Sequence, residues 1–378
     1  MSFKMKDIKT YAWYFPNWHP TALNDKWHGT GWTEWQCVKY ATPRFEGHLQ
    51  PKVPLWGYED ESDPKVFAKK IDTLNEYGVD GFIFDYYWFK EEGPYRRDCI
   101  DKGFLGAENC DKCEFAVMWC NHDPIYVHPA AYMHENCELT SGDVDEAFVD
   151  EVTDYCIDNY FGRSNYIRVD GKILFGIWNF TKFADNFGGL ENAGKIIRKF
   201  REKAAKKGFE IHLTTERHVF PGYAAKDKEL TEKAIKELTV DSIFCYSWSM
   251  PECKQWPKVE YSDYRKYSIE VIENDSSYFS VPLSVNVSTG WDSSPRTIQS
   301  DMYEERAGWP FCPITVNNTP EEVEKSFEEM KKFMESDKHT GKFFTLSTWN
   351  EWTEGNYFEP DELYGYGYLE AFKKVIRG

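Results

Sequence analysis

Eight short apolar runs punctuate the chain, at residues 10–15, 81–86, 115–120, 173–178, 210–214, 242–246, 281–287 and 343–349. Most are continuous rather than alternating, the pattern of strands covered on both faces. Segments with helical period lie between them, at 64–77, 144–159, 190–207, 227–238, 261–274, 320–336 and 361–376. Their ends carry cap chemistry. Ser62–Asp63 precedes Pro64, and Gly78 follows Tyr77. Thr319–Pro320–Glu321–Glu322 opens one helix, and Lys206–Lys207–Gly208 closes another with cations at the negative end. Residues 88–113 read mostly as loop. Strand–helix alternation repeated eight times predicts an α/β fold, a single (β/α)8 TIM-type barrel over residues 1–378. A long insertion after the first strand, about 16–62, falls on the C-terminal rim, where barrels build their sites. A doubly wound open sheet would place a glycine-rich phosphate loop after the first strand. Phe15–Pro16–Asn17–Trp18–His19–Pro20 stands there instead.

Charge narrows the function classes. The 378 residues hold 63 Asp and Glu against 45 Lys and Arg, a net charge of −18. That balance opposes nucleic acid, anionic membrane surfaces and polyphosphate ligands. No apolar run is long enough to span a bilayer, and no secretory leader is visible, so the expected location is the cytoplasm. Ten Cys, spread unevenly, then read as free thiols. Cys110–Asp–Lys–Cys113 lacks the second pair that a structural zinc would want.

Aromatic residues change the picture most. Fifteen Trp, 24 Tyr and 27 Phe are more than a Leu/Ile/Val core calls for, and many adjoin carboxylates or amides. Amphipathic rings beside polar groups suit a sugar, with its apolar face and hydroxylated rim. The barrel reading places the chemistry at the C-terminal strand ends. There the sequence offers Trp18 and His19; Asp85, Tyr86 and Trp88; Asn121 and His122; Trp178; Glu216; Tyr246 and Trp248; and Asn286, Trp291 and Asp292. The last end carries Trp349–Asn350–Glu351–Trp352–Thr353–Glu354–Gly355. Glu351 and Glu354, three residues apart, share one side of a helical turn. Two carboxylates among Trp residues are what glycoside cleavage requires, one as acid and one as base or nucleophile. His19, His122 and His218 sit at separate strand ends without an HExxH-type pairing, so no metal or other cofactor is expected.

Blocks of the sequence carry a resemblance. Gly31–Trp32–Thr33–Glu34–Trp35, Phe45–Glu46–Gly47–His48–Leu49–Gln50–Pro51, Tyr86–Tyr87–Trp88–Phe89, Gly290–Trp291–Asp292–Ser293–Ser294–Pro295–Arg296 and the 349–355 block resemble the WbsX-type family. That family is related to glycoside hydrolase family 99. The resemblance covers nearly the whole chain and implies a (β/α)8 barrel acting on carbohydrate. Family 99 enzymes are retaining endo-α-mannosidases and endo-mannanases with an Asn-Glu-Trp-His-Glu-Gly block. Asn350 to Gly355 is similar to it, with Thr353 in place of His. The resemblance implies that Glu351 deprotonates a sugar 2-hydroxyl and that Glu354 is the acid/base. It also implies an oligosaccharide or polysaccharide substrate contacting Glu34 and Trp35 of the insertion with the strand-end residues, including Trp349, Asn350 and Trp352. WbsX-type proteins are also described as glycosyltransferases, which keeps a transferase as the second reading and a non-catalytic sugar-binding barrel as the third.

Overall fold

A computed structural model describes residues 8–130, 137–250, 255–305 and 309–378; Cys253 lies outside them. Eight parallel strands form the barrel: β1 Thr10–Tyr14, β2 Gly81–Phe89, β3 Glu114–Trp119, β4 Lys172–Ile177, β5 Ile211–Glu216, β6 Ser242–Phe244, β7 and β8 Phe344–Ser347. β7 comes in two pieces, Leu283–Ser284 and Asn286–Ser288. The first pairs with β6 and the second with β8, so the sheet runs around and meets itself at Val285. The Val285 carbonyl accepts from Thr345 N at 3.0 Å, and the Ser284 carbonyl from Cys245 N at 3.1 Å. One run of β-prone residues thus serves two neighbours by turning its hydrogen-bonding edge.

The connecting helices follow their caps. α1 (Pro64–Tyr77) begins where Asp63 accepts from Lys65 N and ends at Gly78 in the left-handed region, φ 82°. α2 (Glu146–Asn159) begins where Asp145 accepts from Phe148 N. α3 (Leu190–Lys206), α4 (Lys228–Leu238), α5 (Tyr261–Tyr278) and α6 (Pro320–Met334) complete the main outer layer. The last predicted helix starts six residues late, as α7 (Gly367–Phe372), because Asp361 folds residues 361–365 into turns, accepting from Tyr364 N at 2.6 Å. Residues 88–113 are less loop-like than expected: they hold a short strand Gly93–Tyr95 on the end of β2, a π-helical turn Cys99–Phe104 and a 3-10 turn Cys110–Lys112. The insertion at 16–62 carries two short helices, Ala22–His28 and Trp35–Lys39.

Strand alternation sorts the rings. On β1, Trp13 faces into the barrel, 4.4 Å from Phe244 and 5.5 Å from Tyr246 between ring centroids, while Tyr14 faces out onto Phe67 of α1. On β2, Phe82 and Phe84 pack outward on the same Phe67, and Tyr86 packs on Tyr160. That leaves Asp85 and Tyr87 on the inner face.

Candidate active site

A cavity of about 270 Å³ opens at the C-terminal end of the barrel. Every strand end but β5 and β7 contributes directly: Phe15, Asp85, Tyr87, Met118, Cys120, Trp178, Tyr246 and Ser247, Glu351 and Glu354. His122, Trp291, Arg296 and Trp309 complete its wall.

The carboxylate pair owes its aim to local backbone. Asn350 brackets the end of β1, accepting from Phe15 N at 2.9 Å and donating to the Phe15 carbonyl at 3.0 Å. Glu351 N donates to Thr348 Oγ1. Glu351 ends the short strand Asn350–Glu351 and precedes the 3-10 turn Trp352–Glu354, and both carboxylates reach the cavity. Gly355 closes the turn at φ 61°, where a Cβ would also press on Asp292 at 2.7 Å.

Arg296 joins the pair. Its Nη2 lies 2.6 Å from Glu351 Oε1 and 3.1 Å from Glu34 Oε1, and its Nε is 3.6 Å from Glu354 Oε1. Its Nη1 lies 2.9 Å from His128 Nε2, which is also 3.2 Å from Glu34 Oε1. Trp309 Nε1 donates to Glu354 Oε1 at 3.0 Å. Burial and repulsion from Glu354 push Glu351 well above the ordinary carboxylate range, against the pull of Arg296. Burial raises Glu354 as well. Glu34 is equally buried, but Arg296 and His128 hold its carboxyl well below that range. It is therefore the fixed anion behind Arg296, and it also takes hydrogen bonds from Asn17 and Thr353. Thr353 is turned toward Glu34 and Glu351, away from the cavity wall.

Asp85 is the third carboxylate of the cavity. Tyr246 OH donates to its Oδ2 at 2.8 Å. Burial pushes its carboxyl up to about 8. Burial lowers His122, so that ring is neutral at physiological pH.

Of the residues singled out from sequence, Asp85, His122, Trp178, Tyr246, Trp291, Glu351 and Glu354 line the cavity. The others stand behind it. Trp18 and Trp35 pack on each other within the insertion, ring centroids 4.1 Å apart and tilted by 38°, and His19 binds Glu61 at 2.8 Å. Tyr86 and Trp88 point out of the barrel, because they alternate with Asp85 and Tyr87. Asn121 bonds the backbone of Asn179, and Glu216 bonds His218. Trp248 donates to the Asn286 carbonyl, and Asn286 to the Tyr246 carbonyl. Trp349 packs on Phe82; Trp352 stacks on Tyr357 at 3.8 Å and donates to Glu359. Asp292 is held at about 2 by its bonds to His48, though burial alone would raise it, and Gln50 donates to it too. Through that pair it pins the insertion to the Arg296 loop. Sequence reasoning did not place Phe15, Met118, Cys120, Arg296 or Trp309 in the site, and it noted Tyr87 and Ser247 at strand ends without counting them as site residues. Arg296 closes the Gly290–Arg296 block, which was its only signal; Trp309 sits in a stretch without pattern.

No group of three or more His, Cys, Asp or Glu positioned to hold a metal forms among the described residues, and no helix there is long and apolar enough to cross a membrane. Cys110 and Cys113 are free thiols.

The sequence profile of the family described as Glycosyltransferase WbsX matches residues 10–372. The chain belongs to that WbsX family. Two proteins called uncharacterized protein WxcX, from two strains of Xanthomonas campestris pv. campestris, are 24% identical to it over 381 residues, 97% of this chain and 49% of theirs. The WbsX chain thus spans about half the length of the curated relatives it matches. Among solved structures it is similar to a glycoside hydrolase-like protein (TM-score 0.62, 13% identity, 100% of this chain and 96% of that one). It is similar also to the family 99 endo-alpha-mannosidase of Bacteroides thetaiotaomicron (TM-score 0.56, 14% identity, 97% and 96%). At those identities the likeness establishes a shared barrel fold.

Proposed function

We propose that this WbsX-family barrel is a retaining glycoside hydrolase acting on α-linked, mannoside-like bonds in an oligosaccharide or polysaccharide. The observation that carries the reading is the burial of Glu351 and Glu354 in one cavity with Arg296 between them. Two buried carboxylates that repel each other keep one proton between them, which is the state a paired acid and base must have. Burial and repulsion from Glu354 raise Glu351 the further of the two, but Arg296 lies closer to Glu351 than to Glu354, 2.6 Å against 3.6 Å, and in this reading that contact decides, with the proton on Glu354 when substrate is bound. Glu351, desolvated and ionised, then draws the proton from the sugar 2-hydroxyl. The freed oxygen attacks C1 and the C1–oxygen bond to the leaving sugar breaks. Glu354 gives its proton to that departing oxygen. Water next opens the 1,2-anhydro sugar, with Glu354 as base and Glu351 returning the proton to O2. Trp291, Trp178 and Tyr246 supply ring faces for the sugar.

The test uses aryl glycosides. Glu351→Gln and Glu354→Gln should each lose about 10²–10⁴-fold in kcat on a poor leaving group. With a good leaving group Glu354→Gln should recover much of its first-step rate and Glu351→Gln should not. A 2-deoxy substrate should resist the wild type. Normal turnover of the 2-deoxy substrate, or a covalent sugar adduct on Glu351, contradicts the mechanism. The family's description favours a second reading, transfer from an activated sugar donor, which a nucleotide-sugar titration separates from the first.

A further inference from the structure

One carboxyl oxygen at the cavity wall is buried without a hydrogen-bond partner. Asp85 is 3% exposed and lines the wall; its Oδ2 takes the Tyr246 hydroxyl, and its Oδ1 has no partner. The neighbouring buried carboxylates are better supplied. Glu34 takes bonds from Asn17 and Thr353, Asp292 from His48, Gln50 and Ser294 N, and Glu61 from Tyr14, Trp18 N and His19. A buried oxygen left without a partner costs stability, and its retention beside a cavity marks a place where something else binds.

The surroundings say what kind of group that is. Tyr87, Trp178 and Tyr246 share the wall with Asp85, the last two edge to face at 5.2 Å and 90°. Rings around a carboxylate form a cage for an ammonium, which pairs with the anion and lies against the negative faces. The cavity carries three acids, Asp85, Glu351 and Glu354, against one lining cation. That cation, Arg296, is engaged with Glu351, Glu34 and His128. Arg96, the other cation nearby, lies against the Tyr87 ring at 4.6 Å and between Phe15 and Tyr95, and it is not part of the cavity wall.

We infer that the sugar bound here bears a free amino group, and that its ammonium sits between Asp85 Oδ1 and the rings of Tyr87, Trp178 and Tyr246. A neutral hydroxyl would give the oxygen one hydrogen bond but no opposite charge to favour the ionised form of Asp85. An N-acyl group would bring no charge and more bulk. Burial holds the empty carboxyl near 8, and an ammonium at 3 Å-scale contact reverses that by favouring the ionised form. The inference relies on the glycosidase reading for the sugar and on Asp85 alone for the amine.

Isothermal titration tests it, with methyl α-mannoside, its amino-deoxy isomers at each ring position and the matching N-acetyl compounds. One amino isomer should bind wild type roughly tenfold or more tightly than the parent and its N-acetyl form. Asp85→Asn should bring that isomer back to the parent's affinity. Trp178→Leu should weaken the amine more than the parent. Circular dichroism and a melting curve show that each variant is folded. Failure of every amino isomer to outbind the parent, or an advantage that survives Asp85→Asn, overturns the inference. Cleavage of a neutral oligosaccharide without amine preference would overturn it while leaving the hydrolase reading intact; amine-selective binding with no cleavage of any glycoside would do the reverse.

Discussion

Asp85 shows how burial becomes a pH-dependent stability. Its carboxyl titrates near 8 in the folded chain, against an ordinary 3.8. Burial is the main cause; Glu354 adds to it, while Tyr246 and Arg96 oppose it. Above pH 3.8 the unfolded chain gives up this proton and the native chain keeps it. The contribution to stability is therefore whole below about pH 4 and is lost as pH rises toward 8. Asp85→Asn never ionises. It should match the wild type near pH 4 and gain on it steadily toward pH 8, by on the order of a few kcal/mol. Urea unfolding across that range checks this; a gain that does not change with pH would contradict it. Glu34 is the counter-case. Its burial is as complete, yet Arg296 and His128 keep it ionised, so it fixes the guanidinium that Glu351 leans on.

Single positions also decide how elements meet. Gly194 of α3 lies against α4, where a Cβ would come within 2.3 Å of the Glu237 carbonyl oxygen. That is backbone and cannot swing aside. Gly194→Ala would normally favour a helix, but here it should destabilise by about 1–3 kcal/mol through overpacking. Thermal denaturation should register the loss, and a rise in Tm would show that the two helices separate freely. The strand-to-turn junction at Glu351 works on the same scale: Glu351 ends a two-residue strand paired with Asn356–Tyr357, and the 3-10 turn Trp352–Glu354 follows at once, so both carboxylates reach the same cavity. β7 is the other informative element, since its break at Val285 lets the sheet close.

At the scale of the molecule, closure brings residues from positions 15 to 354 to one cavity, and the insertion is pinned from above. His48 and Gln50 hold Asp292, and Arg44 donates to the carbonyls of Ile298 and Gln299 and to Thr297 Oγ1. The net charge of −18 and the acidic wall then act together on ligand choice. A nucleotide sugar brings a diphosphate that needs cations, a metal or a helix N-terminus. Calorimetric titration with nucleotide sugars plus Mg²⁺ should show no binding in the submillimolar range. Tight, metal-dependent binding would favour the transferase reading.

The sequence by itself determined the barrel: continuous apolar runs mark strands covered on both sides, and caps mark where helices start and stop. It also brought forward Glu351 and Glu354, because two carboxylates three residues apart among Trp residues form a local signal. What it left open was which strand-end residues face inward. Tyr86 and Trp88 look as functional as Asp85 in a row of letters, but pleating sends alternate side chains to opposite faces. Trp18, Trp35, Trp248 and Trp352 likewise became packing once the rings around them were in place. Only the tertiary structure could bring Arg296 to Glu34 and Glu351, 262 and 55 residues away along the chain, and leave Asp85 Oδ1 without a partner. Charge pairing and desolvation depend on distances in space, and nothing in the spacing of residues along the chain encodes them.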